Sequence, residues 1–219
     1  MEANIIYNID CLTGLRNLPD DSIDCCVTSP PYFNLRDYGV SGQIGLEDTP
    51  EQYIQKLVGV FHEVRRVLAP AGTLWVNIGD CYAGSGKGAA NYPDNAMKYK
   101  QGTNRGTVGR SAIVKKFDGY KSKDLIGIPW MLAFALRADG WFLRQDIIWA
   151  KPNPMPESMK DRCTKSHEYI FLLTKSPKYY FDCEAIHEKA VTSGTIPTNA
   201  PRYGGNKYTA TPEKFYRTK

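Results

Sequence analysis

Ile23-Asp24-Cys25-Cys26-Val27-Thr28-Ser29-Pro30-Pro31-Tyr32 is the stretch whose reading decides the fold. Ile23 to Val27 is a short apolar run and reads as a buried strand. Two prolines then stop it, because proline fixes φ and removes a backbone donor. The first proline also restricts the residue before it. The result is a rigid turn at the C-terminal edge of a strand. It carries a small hydroxyl (Ser29), the carbonyls of two residues that cannot slide into a helix, and an aromatic ring (Tyr32). In an open α/β sheet that edge is where ligands bind. A planar, amino-bearing ligand suits such a turn: hydroxyl and carbonyl accept from the amine while the ring stacks. The same tetrapeptide also fits a turn that merely ends a strand, so its surroundings have to decide.

Upstream, Asn4 to Ile9 reads as a short strand with Asp10 at its end. Leu12, Leu15 and Leu18 recur at helical spacing, and Pro19-Asp20-Asp21 closes that helix. Strand, acid, helix, strand is the βαβ opening of a parallel sheet. Asp10 suits hydrogen bonds from a nucleoside or the cap of a helix beginning at Cys11 or Leu12; both readings stand. Downstream, residues 33–49 form a loop. Thr49 or Asp48 then caps a helix with Pro50 in its first turn and Tyr53, Ile54, Leu57, Val60, Phe61, Val64 and Leu68 on its apolar face. Ala69-Pro70-Ala71-Gly72 ends it, and Thr73 to Ile78 reads as a buried strand. Gly79-Asp80 falls on the same sheet edge as Ser29. Asp80 is therefore a second candidate site residue, or a turn aspartate.

Residues 84–123 lack apolar periodicity and are rich in Gly, Asn, Lys and Arg, with aromatics interleaved. Gly84-Ser85-Gly86-Lys87-Gly88 fails the phosphate-loop pattern, because Cys81 and Gly88 stand where a glycine and a Ser/Thr are needed. A loop of this length and charge, with Lys115 and Lys116 in it, suits contact with a nucleic-acid backbone; a solvated insertion is the alternative. Asp124 is expected to cap a helix through Arg137, followed by a strand from Trp141 to Trp149 and a stiff loop, Ala150-Lys151-Pro152-Asn153-Pro154-Met155-Pro156. Ser166-His167-Glu168 precedes a strand from Tyr169 to Thr174, with Tyr179-Tyr180-Phe181 expected to pair back. From Glu184 the chain is polar, with a basic end.

The 219 residues fit one domain with a sizeable core. A net charge of +5 allows a polyanionic partner without demanding one. The 6 cysteines and 3 histidines complete no metal-ligand spacing, so no metal is expected. The cysteines read as reduced, which suits the cytoplasm. No stretch has the roughly 20 apolar residues of a membrane span, and the N-terminus has no signal-peptide pattern.

Asp24 to Tyr32, then Leu35-Arg36-Asp37-Tyr38-Gly39, the Ile147-Ile148-Trp149-Ala150-Lys151-Pro152-Asn153 run and the His167-Glu168 strand together resemble the DNA amino-methyltransferases. These methylate the exocyclic amine of cytosine (N4) or adenine (N6). The resemblance implies a Rossmann-like α/β sheet of the S-adenosylmethionine-dependent methyltransferase kind, here incomplete and with a basic loop insertion. It implies Ser29, Pro30, Pro31 and Tyr32 as catalytic residues, and Asp10, Cys11 and Thr28 beside S-adenosylmethionine. Asp80, Lys151 and Asn153, with Lys115 and Lys116 of the loop, are implied at double-stranded DNA. The target base would leave the duplex at a cost of roughly a few kcal/mol and stack on Tyr32. Ser29 and the Pro30 carbonyl would accept its amine hydrogens. Serine at the first motif position leans toward N4-cytosine, with N6-adenine as the alternative.

In members with this motif order a cofactor half follows, with a Phe-x-Gly-x-Gly loop. This sequence has no such run. The expectation is a C-terminally shortened enzyme: residues 1–183 as the catalytic region and 184–219 as a polar tail that starts a DNA-recognition segment or is a disordered end. Exposed apolar surface would then favour a homo-oligomer or a complementing cofactor-binding half. A catalytically inactive DNA-binding fragment is the rival reading.

Overall fold

The apolar run before the double proline is a strand, β1 (Ile23–Thr28), and it pairs in parallel with β2 (Leu68–Ile78). The computed structural model describes residues 4–84, 117–154, 156–157, 159–188 and 217–218. Ahead of β1 lies a short helix, α1 (Cys11–Arg16), and between β1 and β2 a long one, α2 (Pro50–Val67). Then come α3 (Ile128–Ala138), β3 (Phe142–Ala150) and β4 (His167–Thr174). The sheet order is β1-β2-β4-β3, and β4 runs antiparallel to both its neighbours. The sheet is therefore mixed, not all parallel as the βαβ opening suggested.

Thr49 starts α2 as expected: its hydroxyl accepts from the Gln52 amide at 3.2 Å, with Pro50 in the first turn. Tyr53, Ile54, Leu57, Phe61 and Val64 recur at three- and four-residue spacing and are all buried. They meet Leu74, Val76 and Ile78 of β2 and Phe171 and Leu173 of β4 in one core, which also takes in Leu132 and Leu136 of α3. Strand side chains alternate between faces. The other face thus carries Val27, Trp75, Asn77, Glu168, Ile170, Ile147 and Trp149. This second face is open at its margins: Val27 is 77% exposed and Trp149 52%.

Further expectations need correction, the first being that β1 is buried: it is an edge strand and none of its residues is buried. Asn4 to Ile9 forms no strand, and Ile6 is 99% exposed; no neighbouring strand is paired with it, and a strand without a ladder has little to hold it. Leu68 already pairs with Ile23, while Cys25 pairs with Thr73, so the expected turn at 69–72 is a bulge within β2. Helix α3 begins at Ile128, not after Asp124, because Gly127 (φ +85°) breaks the chain's path just before it. Tyr180 and Phe181 pair with nothing as strand and are exposed.

The chain divides into two compact units, Met1–Tyr179 and Tyr180–Lys219. In the second, a single turn of tight helix (Glu184–Ile186) leads into β5 (His187–Glu188), which pairs antiparallel with β6 (Arg217–Thr218). Lys115 and Lys116, with all of 85–116, lie outside the described residues. No helix among the described residues is long and apolar enough to cross a membrane.

Two polar ties hold the edge where β1 and β2 end. The Tyr53 hydroxyl, deep in the core, donates to the Pro31 carbonyl at 2.8 Å. Replacing Tyr53 with Phe leaves that carbonyl unsatisfied, and urea denaturation should show a loss of about 1–3 kcal/mol. Asp80 Oδ1 accepts from the backbone amides of Cys81 (2.9 Å), Gly127 (3.0 Å) and Ile128 (3.0 Å), which serves the start of α3 in place of a side-chain cap on Gly127. Asp80→Ala should cost about 1–2 kcal/mol in the same measurement, and Asp80→Asn, which keeps an acceptor oxygen, less.

Candidate active site

The double proline does what its chemistry demands: β1 ends at Thr28 and the chain turns across the sheet edge. Pro30 is buried, Ser29 is exposed, and Thr28, Pro31 and Tyr32 are half-buried. Phe33 anchors the turn from below, its ring 5.3 Å from those of Tyr53 and Phe117. The Asn34 amide donates to the Gly45 carbonyl at 2.6 Å, which closes the loop back on itself. Gly45 has φ +105°, and a Cβ there would stand 3.0 Å from the Tyr32 carbonyl oxygen; only glycine fits without strain. With Tyr53 on the Pro31 carbonyl, the Pro30 carbonyl is the one that accepts no hydrogen bond among the described residues. It lies next to the exposed Ser29 hydroxyl in sequence.

Tyr32 is held at its hydroxyl end. Its Oη lies 2.9 Å from Asn77 Oδ1 and 3.0 Å from Glu168 Oε2, and Ser29 Oγ stands 3.5 Å away. The Asn77 amide nitrogen donates to the Tyr169 carbonyl at 3.2 Å, so its oxygen faces the phenol. Lys151 Nζ is ion-paired with Glu168 Oε1. Burial pushes the Tyr32 phenol up to about 12, so it stays protonated and donates. Burial alone would raise the Glu168 carboxyl, but hydrogen bonds from Lys151 and Tyr32 outweigh it and hold it below the usual range. One edge of the Tyr32 ring rests on Gly79, where a Cβ would come within 2.7 Å of Cε2.

The remaining candidates are spread over the same unit. Asp10 is the cap of α1: Oδ1 accepts from the Thr13 amide at 3.0 Å and from its hydroxyl at 3.2 Å, and these bonds keep the carboxyl ionised below its ordinary value. Cys11 is the first residue of α1 and exposed, its thiol pushed up by burial of the sulfur and by Asp10. Asn153 is exposed on the loop after β3. Asn77, Gly79 and Glu168 carry the geometry yet were not among the expected site residues. Asn77 had a signal: an amide interrupting the run Leu74-Trp75-Val76 and Ile78. In the second unit, Cys183, Glu184 and His187 bring three donor atoms within 4.8 Å of one another at the surface, a grouping the spacing of cysteines and histidines did not suggest.

The sequence profile of the family N6_N4_Mtase, described as DNA methylase, matches residues 23–207. Type II methyltransferase M.Cfr9I of Citrobacter freundii is 52% identical over 189 residues, covering 86% of this chain and 60% of its own length. Type II methyltransferase M.XycI of Xanthomonas campestris pv. cyanopsidis is 44% identical over 227 residues, covering 99% of this chain and 71% of its own. This chain thus spans about 60–70% of the length of these relatives. Among solved structures, PvuII DNA methyltransferase (cytosine-N4-specific) superposes with a TM-score of 0.52 at 17% identity, over 80% of this chain and 50% of that one, which is a likeness of fold. The profile match, the extent of the M.XycI match and the mixed sheet agree: the chain belongs to the DNA methylase family N6_N4_Mtase.

Proposed function

We propose that this chain supplies the base-holding side of a DNA amino-methyltransferase, which moves a methyl group from S-adenosylmethionine to the exocyclic amine of a base flipped out of double-stranded DNA. The observation that carries the reading is the pairing of an exposed Ser29 hydroxyl with a free Pro30 carbonyl beside a fixed aromatic ring. Two acceptors at the amine hydrogens draw the nitrogen lone pair out of conjugation with the ring. The nitrogen then becomes a nucleophile without being deprotonated first. Tyr32 supplies stacking worth roughly 1–3 kcal/mol per base, which offsets part of the unstacking cost.

Asp10, Cys11 and Thr28 are the residues we propose for S-adenosylmethionine. They fit in chemistry: both Asp10 bonds to Thr13 fall on Oδ1, and an ionised carboxylate at a helix start suits the hydroxyl or amine donors of a nucleoside. When bound, that molecule supplies a methyl group on a sulfonium. Asn153, and Lys115 and Lys116 outside the described residues, are proposed at the DNA backbone, and Asp80, whose Oδ1 holds the start of α3, at the pocket of the target base. N4-cytosine is the favoured target. Serine at the first motif position supports it. The β1 margin of the open face, where Val27 is exposed and which lies at the opposite edge of the sheet from β3 and Lys151, is the surface proposed for a second copy of this chain or a complementing cofactor-binding half.

Calorimetric titration with S-adenosylmethionine, followed by methyl transfer to duplex DNA and nucleoside analysis, tests the reading. Binding heat and N4-methylcytosine are the expected results. N6-methyladenine would move the target to adenine, and neither heat nor product would leave a DNA-binding fragment. Within an active preparation, Ser29→Ala should lower kcat about 10²-fold, as loss of one charge-stabilising contact does. Gly79→Ala should displace the Tyr32 ring and lower activity while circular dichroism shows the fold retained; full activity would refute the seating of Tyr32 on Gly79.

A further inference from the structure

Lys151 follows β3 at the place where β3 and β4 still run in register. Trp149 faces Glu168, Ala150 faces His167, and the Lys151 amide donates to the Ser166 carbonyl at 2.7 Å. Two residues beyond Trp149, Lys151 therefore returns to the open face and reaches diagonally across to Glu168. One carboxylate thus holds two groups, Lys151 on Oε1 and the Tyr32 phenol on Oε2. A hydrogen bond to an ionised acceptor is roughly twice as strong as a neutral one. The phenol has a single proton and two acceptors in range, Glu168 Oε2 and Asn77 Oδ1, so its oxygen is confined between them. Gly79 confines the Cδ2–Cε2 edge of the ring, beside the carbon that carries the hydroxyl.

We propose that Lys151 and Glu168 form a clamp that sets the Tyr32 ring for the base, and that Lys151 makes no contact with DNA phosphate. Both residues are positioning residues that act through Tyr32. Electrostatics supports the division of labour. Were Lys151 to leave for a phosphate, Glu168 would keep its negative charge on the face turned to a polyanion, and Tyr32 would lose the partner that fixes its acceptor. A lysine that stays on Glu168 removes that repulsion and holds the ring at once. The role of the ring toward a base rests on the methyltransferase reading; the clamp itself rests on the geometry.

The test uses the full chain with Tyr32→Phe, Glu168→Gln and the double variant. In thermal unfolding, the double variant should lower Tm by clearly less than the sum of the single effects, since Tyr32→Phe removes the bond that Glu168→Gln weakens by making its acceptor neutral; additive shifts would overturn the clamp. Lys151→Met is then compared with the parent chain for binding to duplex DNA over a range of salt concentrations. The slope of log K against log salt should stay the same, whereas a fall of about 0.9 would mean a lost phosphate contact and would overturn the assignment of Lys151. Where methyl transfer is measurable, Glu168→Gln and Tyr32→Phe should each lower kcat about tenfold with KM for DNA unchanged, and the double variant should lose no more. If no methyl is transferred, the methyltransferase reading fails for this chain while the unfolding cycle still decides the clamp.

Discussion

The bond from the Tyr53 hydroxyl to the Pro31 carbonyl is the constraint on which the edge of this sheet depends. A strand that ends in two prolines presents carbonyls that no neighbouring strand can take, because the chain has left the ladder. One of them faces the core, and there only a buried donor can satisfy it. Tyr53 is completely buried, and burial pushes its phenol far above its ordinary value, so that the proton remains in place to be donated. Helix α2 therefore does more than fill the core. Its first turns carry both the donor for Pro31 and a ring against Phe33, so the turn is tied to the helix layer through two successive inward positions. What stays exposed is Ser29, next in sequence to the carbonyl of the buried Pro30, which accepts no hydrogen bond among the described residues.

The far side of the turn is governed by a different chemistry. Its face of the sheet carries Val27, Trp75 and Trp149 alongside Asn77, Glu168 and Lys151. Polar groups on a strand surface normally point to water, but here Asn77 and Glu168 point at one phenol and Lys151 at Glu168. A net hydrogen bond contributes only about 0.5–1.5 kcal/mol, so stability gives a weak reason for three residues from two strands and a loop to converge. Orientation gives a better one. A tyrosine has two rotatable bonds, and fixing the hydroxyl together with one ring edge removes both freedoms before any ligand arrives. The glycine at position 79 belongs to the same device, since any side chain there would occupy the place of the ring.

Much of this was legible in the residues, and the limits have physical causes. The double proline marked the end of β1 because its backbone restriction is local. Thr49 and the apolar spacing of α2 marked that helix for the same reason. Asn4 to Ile9 misled because β-propensity describes fit to a neighbouring strand, and the described structure pairs none with it. The start of α3 was misplaced because its cap comes from Asp80, which lies 47 residues before Gly127. The Lys151–Glu168–Tyr32 link was invisible for a similar reason. Tyr32 and Glu168 are 136 residues apart, and only the antiparallel register of β3 and β4 aims the lysine at the carboxylate.

The engagement of the carboxylates bears on how a base amine could be activated here. Asp80 is committed to the start of α3, Asp10 to the start of α1, and Glu168 to Lys151 and Tyr32. Glu168 is the acid nearest Ser29 through hydrogen bonds, and its lowered pKa makes it a poor proton acceptor. A mechanism that began by deprotonating the amine would need a strong base, and none of these three groups is one. A mechanism that holds the amine hydrogens between neutral acceptors needs only position. Ser29 Oγ and the Pro30 carbonyl are neutral, and the rigid turn fixes the backbone that carries them. Under the proposed methyltransferase reading, the residue types at this edge therefore fit attack by a neutral nitrogen, with its proton passing to water once the new N–C bond has made it acidic.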